Sequence, residues 1–194
     1  MNPYLLLAKK AIENYIKARK IIEPPADLPK EFLNKKAGVF VTITTNYKLP
    51  TKNYTLRGCI GTYLPLRENI AEEIIHNAIA AATEDYRFGP IKKEELPCLS
   101  YTVYILNKPE LVKDLKKLDP KKYGIIIKTI PITGPTGIDV VFNGHFVAKT
   151  GLLLPDLDGV DTIEKQITIC CQKGGIDPTK EKIFVYRFTT EKYQ

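Results

Sequence analysis

Apolar residues recur every three or four positions in three stretches of the chain, and this spacing predicts three helices. The first begins at Asn2-Pro3, where a capping side chain precedes a proline, and it ends before the proline-rich segment EPPADLP. The second runs from about Glu68 to about Glu84. The third begins at Asp161-Thr162 and is closed by Gly174-Gly175.

Strands are predicted where apolar and polar residues alternate or where β-branched residues cluster. These stretches are GVFVTITT from Gly38, LRGCIGTYL from Leu56, LSYTVYIL from Leu99, GIIIKTIPI from Gly124, GIDVVF from Gly137 and IFVYRFTT from Ile183. Asn143-Gly144 predicts a tight hairpin between DVVF and HFVAKT. Helices and strands are mixed along the chain without a regular βαβ alternation, which indicates an α+β fold with a mainly antiparallel sheet flanked by helices. We expect residues 1–194 to form a single domain, with a larger lobe and a smaller second lobe.

Composition narrows the class of protein. The net charge is +7, but the lysines are scattered in pairs and the chain has five arginines, which favours a solvated surface over a nucleic-acid groove. One methionine, no tryptophan and many lysines also suit a heat-stable protein. The chain has no apolar run of roughly 18 residues and no recognisable export signal, so we expect a cytoplasmic protein.

Several kinds of chemistry have no signature in the sequence. The four cysteines include no C-x-x-C pair, which fits free thiols in a reducing compartment and gives no reason to expect a metal or cofactor. The single serine, Ser100, lies in a predicted strand and not on a nucleophile elbow. His76 and His145 form no metal-binding motif, and the glycine-rich PITGPTG lacks the lysine of a phosphate loop.

The segment LRGCIG carries the strongest candidate chemistry. Residues two apart in a strand share a face, so Arg57 and Cys59 would point the same way, and a guanidinium beside a thiol favours the reactive thiolate. Gly58 and Gly61 would let a ligand or another backbone approach closely. The alternative is structural: a buried cysteine, glycines at a bulge, and an arginine paired with a carboxylate.

Two further clusters follow along the chain. In EDYRFGP, Asp85 could pair with Arg87 or hold Arg57, although charges at a helix end are often only solvated. In LLLPDL, an apolar run broken by Pro155 is typical of a buried strand end that leads into a surface loop.

These motifs together resemble the AMMECR family. The resemblance rests on RGCIG, a helix ending in DYRFGP about 25 residues later, then EELP, a strand, a glycine-rich hairpin and LLLP, and it extends from about Leu5 to about Phe188. Tyr86 stands where the family often has proline, and LPDL stands where LPQV is common, so Asp156 changes the chemistry of that loop. The resemblance implies an α+β protein with a larger and a smaller lobe and a cleft between them.

The resemblance also implies possible partners. Related microbial domains occur beside or fused to Memo-like and radical-SAM-like proteins, although this chain has no radical-SAM cysteine triad. A small molecule or one of these proteins could therefore be the partner.

Three functional hypotheses stay open, and whether the chain is an enzyme is undecided. The first is a site for a small anionic substrate; its candidate catalytic residues are Cys59, Arg57, Asp85 and His145, and its candidate substrate-binding residues are Gly58, Gly61, Arg87 and Phe88. The second is a non-catalytic binding or scaffold module for a protein partner. The third, nucleic-acid binding, is disfavoured by the scattered lysines.

Overall fold

The computed structural model describes residues 2–47, 55–130 and 148–194. The described helices are α1 (Pro3–Ala18), α2 (Lys30–Asn34), α3 (Ile70–Thr83) and α4 (Ile163–Gly174). The described strands are β1 (Val39–Thr45), β2 (Thr55–Thr62), β3 (Leu99–Leu106), β4 (Glu110–Leu111), β5 (Gly124–Lys128), β6 (Thr150–Leu153), β7 (Phe184–Phe188) and β8 (Thr190–Tyr193). Two 3₁₀ turns span Lys93–Cys98 and Leu115–Lys117.

The chain divides into two compact units, Met1–Leu106 with Glu191–Gln194, and Asn107–Thr190. In the first unit, four strands lie in the order β2-β1-β3-β8. Strand β1 alternates between buried and half-buried residues, and its buried Val39, Val41 and Ile43 face the apolar core. Because β1 pairs antiparallel with both β2 and β3, this alternation defines one covered face and one opposite face of the sheet.

Helices α1 and α3 belong to the same core as the buried side chains of β1. Helix α1 begins where the Asn2 side chain accepts a hydrogen bond from the Tyr4 N–H, with Pro3 in the first helical position. Helix α3 is rich in isoleucine and alanine and buries residues on most of its surface, and it begins with an Asn69 cap. Its many alanines keep side chains short, which permits a close approach to the sheet.

The second unit contains a four-stranded sheet in the order β4-β7-β5-β6, with α4 packed on β5 and β6. Its core includes Ile125, Ile127, Leu153, Cys170 and Val185. Thr162 caps the start of α4, and Gly175 closes the helix in the left-handed conformation, with φ of 61°. None of the helices within the described ranges has the length and apolar content that crossing a membrane requires.

The α+β class is confirmed, and each strand pair with a described register is antiparallel. The predicted helices α1, α3 and α4 are present with boundaries close to those expected. LLLPDL is a strand end followed by a surface turn, with Leu153 and Leu154 buried and Asp156 exposed at a φ of 55°. The predicted strand GIDVVF and the Asn143-Gly144 hairpin lie outside the described residues.

Candidate thiol site on strand β2

Cys59 lies on β2, at one end of the strand order of its sheet, directly opposite Thr42 of β1. Thr42 alternates with the buried Val41 and Ile43, so it projects from the face opposite the helices. The Cys59 Sγ lies 3.2 Å from the Thr42 Oγ1, within the range of a sulfur hydrogen bond. Cys59 as a residue is half-buried.

The backbone of Cys59 is held by two side chains from the segment that follows α3. The Cys59 N–H donates to Asp85 Oδ2 at 2.8 Å, and its carbonyl accepts a bond of 3.5 Å from Arg87 Nη2. Both groups point away from β1, so Cys59 and Thr42 form a non-hydrogen-bonded pair, the geometry in which facing side chains lie closest. Asp85 and Arg87 therefore bind the backbone N–H and carbonyl that Cys59 presents at the edge of β2, as a neighbouring strand would.

Asp85 and Arg87 also bind each other, which confirms one of the two pairings considered from the sequence. Arg87 Nε donates to Asp85 Oδ1 at 2.9 Å and Nη2 donates to Oδ2 at 2.6 Å, a bidentate arrangement. The Asp85 side chain is 3% exposed, whereas that of Arg87 is 41% exposed. The hydrogen bonds from Arg87, aided by the Cys59 N–H, hold the pKa of Asp85 at about 2 against burial, so the carboxyl is ionised at neutral pH.

Arg57 is paired with a carboxylate, as the structural alternative expected. Its Nε and Nη2 donate to Glu95 at 2.7 and 3.0 Å, and Nη1 donates to the Gly89 carbonyl at 2.8 Å. The pairing register shifts here, because Ile43 lies opposite Gly58 while Thr44 lies opposite Leu56, which makes Arg57 the additional residue of a bulge. Arg57 thus anchors the loop after α3 through bonds to Glu95 and to the Gly89 and Pro90 carbonyls.

Glu95 completes this anchor. It also accepts a hydrogen bond from the Lys92 N–H at 2.9 Å. Burial alone would raise the pKa of Glu95, but the bonds from Arg57 and from the Lys92 N–H lower it overall. The RGCIG and DYRFGP-EELP segments therefore interlock: Arg57 binds the loop, while Asp85 and Arg87 bind the strand.

The two glycines of the motif are explained by packing against protein. A Cβ at position 58 would overlap the backbone carbonyl of Ala81 on α3, so this glycine lets the helix lie against the sheet. A Cβ at position 61 would overlap the Val39 carbonyl and the Phe40 ring. A close approach therefore does occur at both glycines, and at both positions the approaching group belongs to the protein itself.

The remaining candidates have separate positions. The half-buried Phe88 donates its N–H to the Asp85 carbonyl at 2.9 Å, and its ring lies 5.3 Å from the Arg87 guanidinium carbon. His145 lies outside the described residues, so its proposed role as a base stays a prediction. His76 is half-buried on α3, and its pKa is lowered first by burial and then by Arg67.

Sequence reasoning missed Thr42 and Glu95. The alternation of GVFVTITT would have placed Thr42 on the face opposite the core, but its contact with Cys59 depends on the register between β1 and β2. Glu95 belongs to the EELP motif, which contributes to the family resemblance but has no chemical role assigned from the sequence.

The other cysteines differ from Cys59 in their surroundings. All four are free thiols; Cys98 is half-buried, whereas Cys170 and Cys171 are buried. Burial raises the pKa of Cys170 to about 12 and also raises that of Cys171. No group of three metal-ligating side chains occurs within the described ranges.

These features define an α+β protein in which an acid–arginine pair fixes a partly exposed cysteine on a sheet edge. The family model described as AMMECR1 matches residues 5–193, and the chain belongs to the AMMECR1 family. A protein from Thermotoga maritima is 44% identical over 193 residues, covering 100% of this chain and 98% of that relative.

Two other relatives extend the comparison. A protein from Clostridium acetobutylicum is 39% identical over 191 residues; the match covers 96% of this chain and 36% of that longer relative. The crystal structure of uncharacterized protein PH0010 from Pyrococcus horikoshii has 36% sequence identity and a TM-score of 0.78, covering 97% of this chain and 88% of that one. The fold is thus shared at full domain length.

Proposed function

We propose that Cys59 is the reactive group of a site that binds and acts on a small anionic substrate. The thiol is the nucleophile or thiol ligand, and Arg87 replaces Arg57 as the cation that contacts the anion. The Cys59 backbone, held through both of its polar groups by Asp85 and Arg87, carries the proposal. A peptide fixed in this way presents its side chain in one position, which is what a reacting group requires.

The surroundings of the thiol support this role. Thr42 Oγ1, at 3.2 Å, can donate a hydrogen bond to a thiolate. The pKa of Arg87 is raised mainly by its hydrogen bonds to Asp85, and a negative charge at Cys59 raises it further. By reciprocity, Arg87 favours the ionised form of Cys59.

Arg87 also has capacity for a ligand. Its Nε and Nη2 bind Asp85, while Nη1 has no hydrogen-bond partner among the described residues. With 41% of its side chain exposed, it offers a donor to a carboxylate or phosphate oxygen.

The interlocked motifs favour a second candidate function, a non-catalytic module that binds a segment of a partner protein. Arg57, Glu95 and Asp85 are all committed to contacts within the chain, and both motif glycines pack against backbone or side chains of the protein. In this alternative the motif maintains the fold and Cys59 has ordinary reactivity. Memo-like and radical-SAM-like proteins are then the partners to test.

The alkylation rate of each cysteine, measured against pH by mass spectrometry on the native protein, separates the two functions. We expect Cys59 to react as a thiolate with a midpoint below the ordinary thiol value of about 8.5. Cys98 is the half-buried internal control, and Cys170 and Cys171 are the buried ones. Thr42→Val and Arg87→Gln should each move the Cys59 midpoint upward, after circular dichroism has confirmed folding.

Either outcome has a clear meaning. A depressed midpoint that both variants raise supports the thiol site and justifies a search for anionic substrates. A Cys59 that stays unmodified until the protein unfolds, or reacts with an ordinary midpoint in all variants, refutes it and leaves the scaffold function.

A further inference from the structure

Cationic side chains gather around strand β4, which lies at one end of the strand order in the sheet of the second unit. Two shallow depressions, of about 260 and 200 Å³, share Arg187 in their walls. Lys108 lines the first depression, and Lys113 and Lys117 line the second. Lysines that are spread along the sequence are therefore brought together around one arginine.

Arg187 is the centre of this group and is held by contacts within the second unit. Its Cζ lies 4.6 Å from the centre of the Tyr123 ring, and Lys122 Nζ lies 5.2 Å from the centre of the same ring. Arg187 Nη2 lies 3.3 Å from Glu110, whose side chain is 69% exposed. An ion pair this exposed is weak in water, so another carboxylate can compete for the arginine. We call the five cations the basic surface: Lys108, Lys113, Lys117, Lys122 and Arg187.

Positive charge exceeds negative charge on the basic surface. The acidic residues that line the two depressions are Glu110 and Asp114. The four lysines of the basic surface have no carboxylate within 4.0 Å in the part of the chain that the structure describes. An excess of unpaired cations attracts a partner of opposite charge and speeds its encounter with the protein.

An apolar side chain and unpaired backbone groups accompany these charges. Leu111 of β4 is 51% exposed and lines the second depression beside Lys113 and Lys117. The Val112 N–H donates to the Val185 carbonyl at 2.8 Å, so the N–H and carbonyl of the preceding Leu111 point away from β7. A nucleic acid would leave the leucine unmatched, whereas an extended peptide can cover it and pair with the strand edge.

We propose that the basic surface binds an extended acidic segment of a partner protein, in which apolar side chains alternate with carboxylates. The carboxylates lie against the lysines and Arg187, and an apolar side chain covers Leu111. The segment runs along the edge of β4, where the Leu111 N–H donates to it and the Leu111 carbonyl accepts from it. The basic surface lies within the second unit, so this inference is independent of the thiol site and of the function proposed for it.

The probe is a fluorescein-labelled peptide of alternating glutamate and valine, about ten residues long, which is enough to extend along both depressions. It is titrated with the whole protein and followed by fluorescence anisotropy. A glutamate–serine peptide of equal charge and an oligothymidylate of equal charge are the comparison probes. We expect the glutamate–valine peptide to bind with a dissociation constant on the order of 10–100 µM, and both comparison probes to bind about fivefold more weakly. Binding should weaken as NaCl rises from about 0.05 to 0.3 M.

Two kinds of variant test the assigned contacts, after circular dichroism has confirmed folding. The double variant Lys113→Gln, Lys117→Gln should weaken binding of the glutamate–valine peptide about fivefold. The double variant Lys10→Gln, Lys20→Gln removes the same charge from exposed positions of the first unit and should change binding less than twofold. Leu111→Thr should weaken the glutamate–valine peptide about threefold and leave the glutamate–serine peptide unchanged.

The results that overturn the proposal are equally specific. Tighter binding of oligothymidylate than of the glutamate–valine peptide would assign the basic surface to nucleic acid instead. Equal affinity of the two peptides would refute the contact with Leu111 and with it the proposal. Equal effects of the two double variants, or no saturable binding, would also refute it and leave the lysines only a role in keeping the strand edge from aggregating.

Discussion

Asp85→Asn tests the carboxylate that holds the thiol strand. Asp85 accepts hydrogen bonds from the Cys59 N–H at 2.8 Å and from Arg87 Nε and Nη2 at 2.9 and 2.6 Å. Asparagine keeps the shape of the side chain but replaces one of the two acceptor oxygens with an NH₂ donor. Lowering the carboxyl pKa from 3.8 to about 2 corresponds to about 2 kcal/mol of folding free energy at neutral pH. We therefore expect Asp85→Asn to lower the free energy of unfolding by about that amount.

The lowered pKa of Asp85 determines how the stability difference between the wild type and Asp85→Asn changes with pH. The folded-state pKa of Asp85 lies below the unfolded value, so its contribution is present above about pH 4 and is lost as pH falls toward 2. The wild type and Asp85→Asn should thus differ by about 2 kcal/mol at pH 7 and by less than about 1 kcal/mol near pH 2.5.

Urea unfolding followed by circular dichroism at the two pH values measures this difference. Other carboxyls also titrate in acid, but they do so in both proteins and cancel in the comparison. Glu84→Gln, at the exposed neighbouring position, is the matched control and should change stability by less than about 0.5 kcal/mol. A deficit of the same size at both pH values would refute the argument, because the charge of Asp85 would then contribute nothing.

Two further predictions concern packing and a buried acid. Gly58→Ala should lower stability by about 1–3 kcal/mol in thermal unfolding because its Cβ would overlap the Ala81 carbonyl, while Gly89→Ala, whose Cβ meets nothing within 4 Å, should be nearly neutral. Equal effects of these two glycine variants would contradict the packing argument. Glu73→Gln should cost about 2 kcal/mol, since the buried Glu73 carboxylate accepts bonds from the Leu66 and Arg67 N–H groups and from the Thr62 hydroxyl. Unchanged amide hydrogen exchange at Leu66 and Arg67 in that variant would count against this role.

The parts of the fold that follow from local rules were predictable. The Asn2-Pro3 cap, the Thr162 cap and the Gly175 stop act within a few residues, and the helix boundaries matched them. The short elements α2 and β4 were missed, because five and two residues are too few to show a hydrophobic period.

The contacts of the candidate site also differ in whether the sequence could predict them. The Asp85–Arg87 pair spans two positions and was among the pairings considered, whereas the bond from Cys59 to Asp85 spans 26 positions and depends on where α3 lies against the sheet. The bond from Arg57 to Glu95 spans 38 positions, and the bulge at Arg57 is a property of the β1–β2 pairing, so neither follows from local alternation.

The sequence by itself determined the α+β class, the family resemblance, the main helices and the two motifs that belong together, because periodicity, caps and turn residues act over short distances. Tertiary structure alone decided which contacts these motifs make with each other and with the rest of the protein. It assigned Arg57 to Glu95, paired Gly58 with Ala81, and set the Cys59 thiol beside Thr42. Each of these contacts joins distant segments, and their partners are chosen by strand register and helix packing, which no local pattern encodes.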